Sequence, residues 1–403
     1  MARLESQDTL KRILQTYFQN LRSPLAWCTS AGPAEILRAL GFDVYFPENH
    51  GALLGASRAA QRYIPRAHQA GYAAEVCSYL TADIGAWLMQ ETPLTGAYGL
   101  PSVPRPDLIV FNTNQCREVA EWFNYFGRVF QCPVVGIFPP RHLEEVTPAD
   151  ASHVVSQFLK LIATGEEIIG RKLDPSCLEE TVRQSKEGSA RWQKLLQTAR
   201  NRPAPISFFD GTILMAPIVV LRGTSVCTDF YEQALAEVTA LQAQPRAAVP
   251  EERVRLYWEG MPIWGRLRAL ADFFAANGAA VVASTYCNSW VFDDFDPRNP
   301  LESMAYAYTK IFINRGENAK LALLSAALQE YQIDGVIFHD AKTCFNNSNN
   351  RFGLARRLQE TTHIDTVTID GDLNDLRFFS EGQSRTKLET FIEQLRSGRK
   401  LQG

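Results

Sequence analysis

Short apolar runs recur along this chain, and each is followed by a polar turn and then by a stretch with helical spacing. Leu25–Cys28 precedes the helix-like segment Ala34–Leu40, and Leu108–Phe111 precedes Glu118–Phe130. Apolar runs of about four to eight residues between turn signals are typical of buried strands. Two parallel strands need a crossover connection, which is usually a helix. The pattern therefore predicts an α/β fold with parallel sheets.

The α/β rhythm is interrupted in the middle of the chain. Strand-like runs define a first unit at residues 25–28, 42–46, 108–111 and 133–138. They define a second unit at residues 254–258, 279–283, 335–338 and 366–369. The intervening residues 147–246 carry the spaced leucines and isoleucines of long helices. We expect two Rossmann-like parallel-sheet units with a helical middle layer, divided as residues 1–150, 151–250 and 251–403.

Composition narrows the functional classes. The net charge of −3 gives no bulk positive field that would attract nucleic acid. No apolar stretch approaches the ~18 residues of a membrane span, and the N-terminal residues lack the apolar core of a signal peptide. We therefore expect a cytoplasmic protein without a membrane or nucleic-acid partner. Its eight cysteines then indicate metal binding, chemistry or burial rather than a disulfide framework.

Three cysteines are predicted to lie where strands end. Cys116 follows the run 108–111 and its polar turn, Cys344 follows the run 335–338 and its polar turn, and Cys77 lies in Glu-Val-Cys-Ser-Tyr. Ligands of open α/β sheets bind just beyond the carboxyl ends of the strands. Thiolates gathered there could hold an iron–sulfur cluster. The long, irregular spacing leaves a second interpretation open, in which these are buried structural thiols.

Other candidates have a structural and a functional interpretation. Cys132, Cys177 and Cys227 are interpreted as packing residues. The acidic stretch 293–296 is interpreted as a solvated loop, because it lacks the ligand spacing of an EF-hand. No Walker A motif is present, so any dependence on ATP must reside on another polypeptide.

Several segments together resemble a catalytic subunit of the benzoyl-CoA reductase/2-hydroxyacyl-CoA dehydratase superfamily. The segments that carry this resemblance are Pro33–Leu37, Thr113–Cys116, Tyr257–Trp264, Thr285–Trp290, His339–Cys344, Gly371–Asp375 and the closing helix 383–393. They extend over nearly the whole chain. The local sequence around Trp258, Cys287 and Cys344 is most similar to that of the benzoyl-CoA reductase branch.

The resemblance implies a cofactor and partners. Members pair two related subunits, each with a [4Fe–4S] cluster, and Cys77, Cys116 and Cys344 match the recurring ligand positions. A separate iron–sulfur activator hydrolyses ATP and passes on single electrons from a low-potential donor such as ferredoxin. The implied function is that of a benzoyl-CoA reductase subunit, which reduces the aromatic ring of its acyl-CoA substrate to a cyclic dienoyl-CoA. The implied assembly is a heterodimer.

Three alternatives remain open from the sequence. A 2-hydroxyacyl-CoA dehydratase uses the same electron injection to form a ketyl and expel hydroxide. A homodimeric double-cubane reductase of the same superfamily acts on small molecules. Outside enzymes, the chain could be a two-lobed binding protein whose cysteines are core residues.

The loops after the strands also supply candidate substrate and proton-transfer residues. We expect the acyl group to lie between the loop Cys287–Trp290 and the cluster. The predicted pocket residues are Ser30, Trp258, Cys287, Asn288 and Trp290, with core packing as the alternative interpretation of each aromatic. His339 and Lys342, which are predicted to share the loop of Cys344, are the candidate proton donors.

Overall fold

The described part of the chain contains two four-stranded sheets, and every strand pair in them is parallel. This arrangement comes from a computed structural model, which describes residues 4–242 and 247–400. Each predicted unit includes a few residues outside these ranges, namely 1–3, 243–246 and 401–403. The eight strands are β1 Leu25–Cys28, β2 Asp43–Tyr45, β3 Leu108–Asn112, β4 Val134–Ile137, β5 Val254–Glu259, β6 Ala279–Ser284, β7 Gly335–Ala341 and β8 Asp365–Gly371. The predicted α/β fold with two parallel-sheet units is confirmed.

The first sheet has the strand order β2-β1-β3-β4. Its two central strands are buried along their whole length, which explains why they are continuous apolar runs rather than alternating ones. The helices of this part of the chain are α1 Glu5–Asn20, α2 Ala34–Leu40, α3 Pro47–Ala56, α4 Ala60–Gln69, α5 Ser78–Leu88, α6 Leu94–Tyr98 and α7 Glu118–Phe130. Helices α3 and α7 begin shortly after strands and therefore start near the carboxyl edge of the sheet.

A helical segment follows the first sheet. It consists of α8 Pro148–Ile169, α9 Pro175–Gln197, α10 Phe208–Leu214, α11 Ala216–Val220 and α12 Ser225–Gln242. Side-chain caps define several of the starts: Thr147 and Asp150 form a capping box at α8, and Ser207 and Asp210 form one at α10. Helices α8 and α9 both pack against α2. The segment thus covers one face of the first sheet and leads the chain to the second.

The second sheet has the strand order β6-β5-β7-β8. The remaining helices are α13 Leu267–Ala276, α14 Thr285–Asn288, α15 Pro300–Thr309, α16 Glu317–Glu330, α17 Leu354–Thr362 and α18 Glu381–Lys400. Short 3-10 turns lie at Trp264–Arg266, Phe312–Asn314, Phe345–Asn347, Asn349–Phe352 and Leu376–Phe378, in addition to Thr198–Arg200 in the helical segment. Helix α13 starts at Leu267, directly after the 3-10 turn at residues 264–266.

Strand β7 is longer than its apolar run predicts. Its pairing with β8 continues through His339, Asp340 and Ala341. His339 therefore lies inside the strand rather than in the loop of Cys344, where the sequence predicted it. Within the described residues, no helix is long and apolar enough to cross a membrane.

Candidate functional site

The three predicted ligand cysteines line one cavity of about 350 Å³ between the two sheets. Cys116 follows β3 and Cys344 follows β7, as predicted. Cys77 does not follow a strand, because it is the residue that immediately precedes helix α5. The cavity thus lies where the loops after β3 and β7 meet the start of helix α5.

Each of the three sulfur atoms accepts backbone N–H groups from residues two or three positions further along the chain. The donors are Tyr79 and Leu80 for Cys77, Val119 for Cys116, and Asn347 for Cys344. Burial nevertheless raises the pKa of Cys77 to about 12 and the pKa values of Cys116 and Cys344 well above 9. Backbone donors favour a thiolate, whereas burial disfavours it. A positively charged group bound between the sulfurs would resolve this conflict.

The donor set fits an iron–sulfur cluster better than a single ion. Within the described residues, no group of three or more His, Cys, Asp or Glu side chains is arranged to hold one metal ion. A cluster has a different requirement, because its thiolates are spread over several iron atoms and its sulfur ligands accept N–H bonds. The charges of Cys77, Cys116 and Cys344 act on one another across the cavity. Three thiols around one cavity, each with its own N–H donor, meet that requirement.

Asp372 ties the loops of two of these cysteines together. The Ser78 N–H donates to Thr343 Oγ1 at 3.0 Å, and Thr343 Oγ1 donates to Asp372 Oδ2 at 2.7 Å. Ser78 Oγ also donates to Asp372 Oδ1. Because Asp372 is fully buried, these contacts are shielded from water and fix the start of α5 against the loop after β7. The sequence segment Gly371–Asp375 carried the resemblance, but nothing in it assigned this role.

Glu48 is the main cavity residue that sequence reasoning missed. Its Oε2 accepts the Ser30 N–H at 2.5 Å. In the orientation that satisfies both ends of its amide, Gln115 donates to Glu48 Oε1 at 3.0 Å and accepts from Ala31 N at 3.2 Å. Burial against the cavity raises the pKa of Glu48 to about 7, and the Ser30 hydrogen bond opposes this rise. The sequence signal that could have identified Glu48 as a site residue is its position in the first turn of α3, directly after strand β2.

Buried Arg222 holds the loop that presents Ser30. Its guanidinium donates to five acceptors, which are Glu35 Oε1, the Tyr308 hydroxyl and the backbone carbonyls of Ile218, Ser30 and Gly32. Asn114 reinforces this junction, because its amide donates to the Ala31 and Tyr308 carbonyls. The loop at residues 30–32 is therefore fixed from behind by both the helical segment and the second half of the chain.

Aromatic side chains form one wall of the cavity. Trp264, Tyr286 and Trp290 line it, and the Trp264 indole donates to the Tyr79 hydroxyl. Trp264 and Tyr286 meet edge to face with ring centres 6.1 Å apart. Of the five predicted pocket residues, Ser30 and Trp290 lie on this cavity.

The other three predicted pocket residues lie elsewhere. Trp258 is fully buried and stacks on Phe208 at 5.4 Å, because both faces of strand β5 are covered. Cys287 lies in α14 with its sulfur 3.9 Å from Thr212 Oγ1, and its backbone carbonyl accepts the Trp192 indole N–H. Asn288 borders a second cavity of about 330 Å³ behind α14. Their predicted contact with the acyl group is therefore not retained.

The two predicted proton donors also lie away from the cavity lining. His339 is buried in β7, its Nδ1 lies 2.6 Å from the Met261 carbonyl, and burial lowers its pKa to about 4. The ring is therefore neutral at pH 7. Lys342 pairs with Asp370 at 2.6 Å, and both side chains are exposed. Neither residue is retained as the proton donor.

The remaining cysteines have mixed environments. Cys28 and Cys227 are fully buried, and Cys132 is half-buried. The prediction that Cys177 packs in the core is wrong, because it lies exposed in the first turn of α9. Cys177 is thus a suitable control thiol.

Comparison with known proteins agrees with this architecture. The model of the family "2-hydroxyglutaryl-CoA dehydratase, D-component" matches residues 29–395. The (R)-phenyllactyl-CoA dehydratase alpha subunit of Clostridium sporogenes is 28% identical over 376 residues, which cover 92% of this chain and 89% of the relative. The (R)-2-hydroxyisocaproyl-CoA dehydratase alpha subunit of Clostridioides difficile is 27% identical, with 94% and 91% covered. A benzoyl-CoA reductase subunit of Thauera aromatica is 28% identical, with 88% and 85% covered. The predicted superfamily is confirmed, and the chain belongs to the 2-hydroxyglutaryl-CoA dehydratase D-component family.

Proposed function

We propose that this chain binds a [4Fe–4S] cluster through Cys77, Cys116 and Cys344 and acts in single-electron chemistry on an acyl-CoA. The shared cavity of the three thiols and their backbone N–H donors support the ligand set. The family and the relatives named above support the acyl-CoA substrate. When bound, the cluster would supply a low-potential electron that turns the thioester carbonyl into a ketyl.

Dehydration of a 2-hydroxyacyl-CoA is the reaction that the site supports best, and Glu48 is the observation that carries it. After the ketyl forms, the 2-hydroxyl leaves as hydroxide, and a base must remove a proton from the β-carbon. A carboxyl group with a pKa near 7 takes up and returns protons readily at neutral pH. Glu48 would accept the β-proton and return it to hydroxide as water, and the electron would be recovered when the enoyl-CoA forms.

Dearomatising reduction of benzoyl-CoA, which the sequence favoured, is the second candidate. The aromatic wall of Trp264, Tyr286 and Trp290 would suit a flat acyl group, and the Thauera aromatica relative is a benzoyl-CoA reductase subunit. This reaction consumes two electrons and two protons for each ring. Ring reduction therefore needs a net supply of protons, whereas a single carboxyl group that takes up and returns one proton is suited to dehydration.

The proposal includes partners. ATP hydrolysis would belong to a separate iron–sulfur activator, because this chain has no Walker A motif. A donor such as ferredoxin would reduce that activator, and the proposal includes a cytoplasmic location, where ATP and ferredoxin are available. A related cluster-binding subunit would complete a heterodimer. Exposed Phe345, which directly follows Cys344, and exposed Phe138 and Phe352 support a covering partner.

Product analysis tests the reaction. The chain is purified without oxygen together with its native partners and activator, and it is supplied with ATP and either a 2-hydroxyacyl-CoA or benzoyl-CoA. Dehydration predicts an enoyl-CoA from the first substrate, with loss of activity in Glu48→Gln and retention in Glu145→Gln, an exposed carboxylate. A cyclic dienoyl-CoA from benzoyl-CoA alone would replace dehydration by the second candidate. No conversion of either substrate would refute both.

A further inference from the structure

The ionisable side chains that line the cysteine cavity are all acidic. Its lining includes the carboxylates Glu48 and Glu118 and the three thiols, and no Lys, Arg or His side chain of the described residues lines it. With a cluster bound, the three thiols would be present as thiolates and would carry negative charge. Any anionic group on a bound acyl chain would therefore be buried among like charges without a cation to pair with.

Three arginines behind segments that line the cavity already donate to backbone carbonyls. Arg141 donates to the Thr113 and Gln115 carbonyls behind the Cys116 loop. Arg58 donates to the Gly265 carbonyl at 3.1 Å, and Arg222 is held by its five acceptors behind Ser30. Turning any of them toward the cavity would break these hydrogen bonds.

Much of the rest of the lining is small, aliphatic or aromatic, and its polar side chains, which include Ser30, Asn49, Thr212, Ser289 and Asn347, are uncharged. One helix contributes Ala52, Leu53 and Ala56, and the facing segment of α10 and α11 contributes Ile213, Met215, Ala216 and Val219. These residues and the aromatic wall offer dispersion contacts to an apolar group. Neither they nor the uncharged polar side chains of the lining supply a positive charge to pair with a carboxylate.

We infer that this site accepts uncharged aliphatic or aromatic acyl groups and rejects acyl chains that end in a second carboxylate. The inference rests on the proposed acyl-CoA function and specifies its substrate class. Juxtaposed like charges are strongly unfavourable in a buried site, so we expect a carboxylate to weaken binding at least about 100-fold relative to its uncharged counterpart.

Two matched pairs of acyl-CoA esters test this inference by anaerobic calorimetry on the native complex. Benzoyl-CoA is compared with 4-carboxybenzoyl-CoA, and pentanoyl-CoA with glutaryl-CoA, so that the CoA charges cancel within each pair. A dissociation constant at least about 100-fold higher for the carboxylated member supports the inference. A ratio below about 10-fold in both pairs overturns it. Failure of all four esters to bind would instead refute the acyl-CoA function.

A charge-reversal variant tests the cause. Met215 is buried on the cavity wall, so Met215→Lys adds the missing cation at similar length, and Met215→Leu is the matched control. The glutaryl-to-pentanoyl ratio should fall at least about 10-fold in the lysine variant alone. If Met215→Lys does not fold, Ile213→Lys serves instead, because that side chain is partly exposed at the same wall. An unchanged ratio in a folded lysine variant would overturn the inference.

Discussion

Replacing Arg222 with lysine should destabilise the junction behind Ser30, although the substitution conserves the positive charge. Both side chains are cations, but Arg222 serves five buried acceptors with three nitrogen atoms in one plane. Lysine has a single nitrogen with three donors. At least two of the five acceptors would therefore lose their partner.

The cost follows from those lost hydrogen bonds. A hydrogen bond to a charged group contributes about 1.5–3 kcal/mol, so the loss of two predicts about 3–6 kcal/mol. Arg183→Lys is the matched control. Arg183 pairs with Glu180 and Glu187 on the surface of α9, with 44% of its side chain exposed, and such pairs contribute less than about 1 kcal/mol.

Urea unfolding followed by tryptophan fluorescence measures the difference between the two variants. The account predicts that Arg222→Lys has a clearly lower midpoint than Arg183→Lys at an unchanged slope. It also predicts a functional effect, because release of the Ser30 loop weakens the hydrogen bond that restrains the pKa of Glu48. The pH profile of activity should then move to higher pH. Equal midpoints for the two variants would refute this reasoning.

Three further changes have defined outcomes. If Glu48 is the base, kcat/KM should rise as pH increases through about 7, and Glu48→Gln should remove this rise. Folding raises the pKa of Glu48 from 4.5 to about 7, so the protonated carboxyl stabilises the native state at low pH, and this stabilisation is lost as the pH rises to 7. Glutamine does not titrate. The urea midpoint of Glu48→Gln should therefore rise relative to that of the wild type between pH 5 and pH 8. Trp290→Ala should keep its iron but lose about 100-fold in rate, since ~1 Å of misplacement costs that much; loss of iron in step with activity would contradict a wall role. Lys342→Met should change stability by less than about 1 kcal/mol and leave activity unchanged, because its pair with Asp370 is exposed; a large activity loss would restore Lys342 as a donor.

The strands and the thiols after them could be predicted because local signals determine them. The completely buried strand β1 is a continuous apolar run, most of β3 is another, and parallel strands bring their carboxyl ends to one edge. This reasoning located the Cys116 and Cys344 loops. Cys77 was assigned to the same cavity by resemblance, but its local structure was wrong because a helix start after Glu-Val has no strong cap signal.

The cavity wall and its carboxyl group depend on tertiary contacts that no local pattern carries. Trp258 and Trp264 are six positions apart in one recognisable segment, yet the strand buries the first while the following turn presents the second to the cavity. Glu48 resembles an ordinary acidic residue in the first turn of a helix. Only its contacts with Ser30 and Gln115 distinguish it.

Iron and sulfide analysis of cysteine variants tests the central claim most directly. Purified without oxygen, the wild-type chain should contain about four iron and four sulfide per chain, the content of a [4Fe–4S] cluster. Cys77→Ala, Cys116→Ala and Cys344→Ala should each lose most of this content, whereas exposed Cys177→Ala should retain it. Full iron retention in the three cavity variants, or a wild-type chain free of iron, would contradict the proposed cluster site.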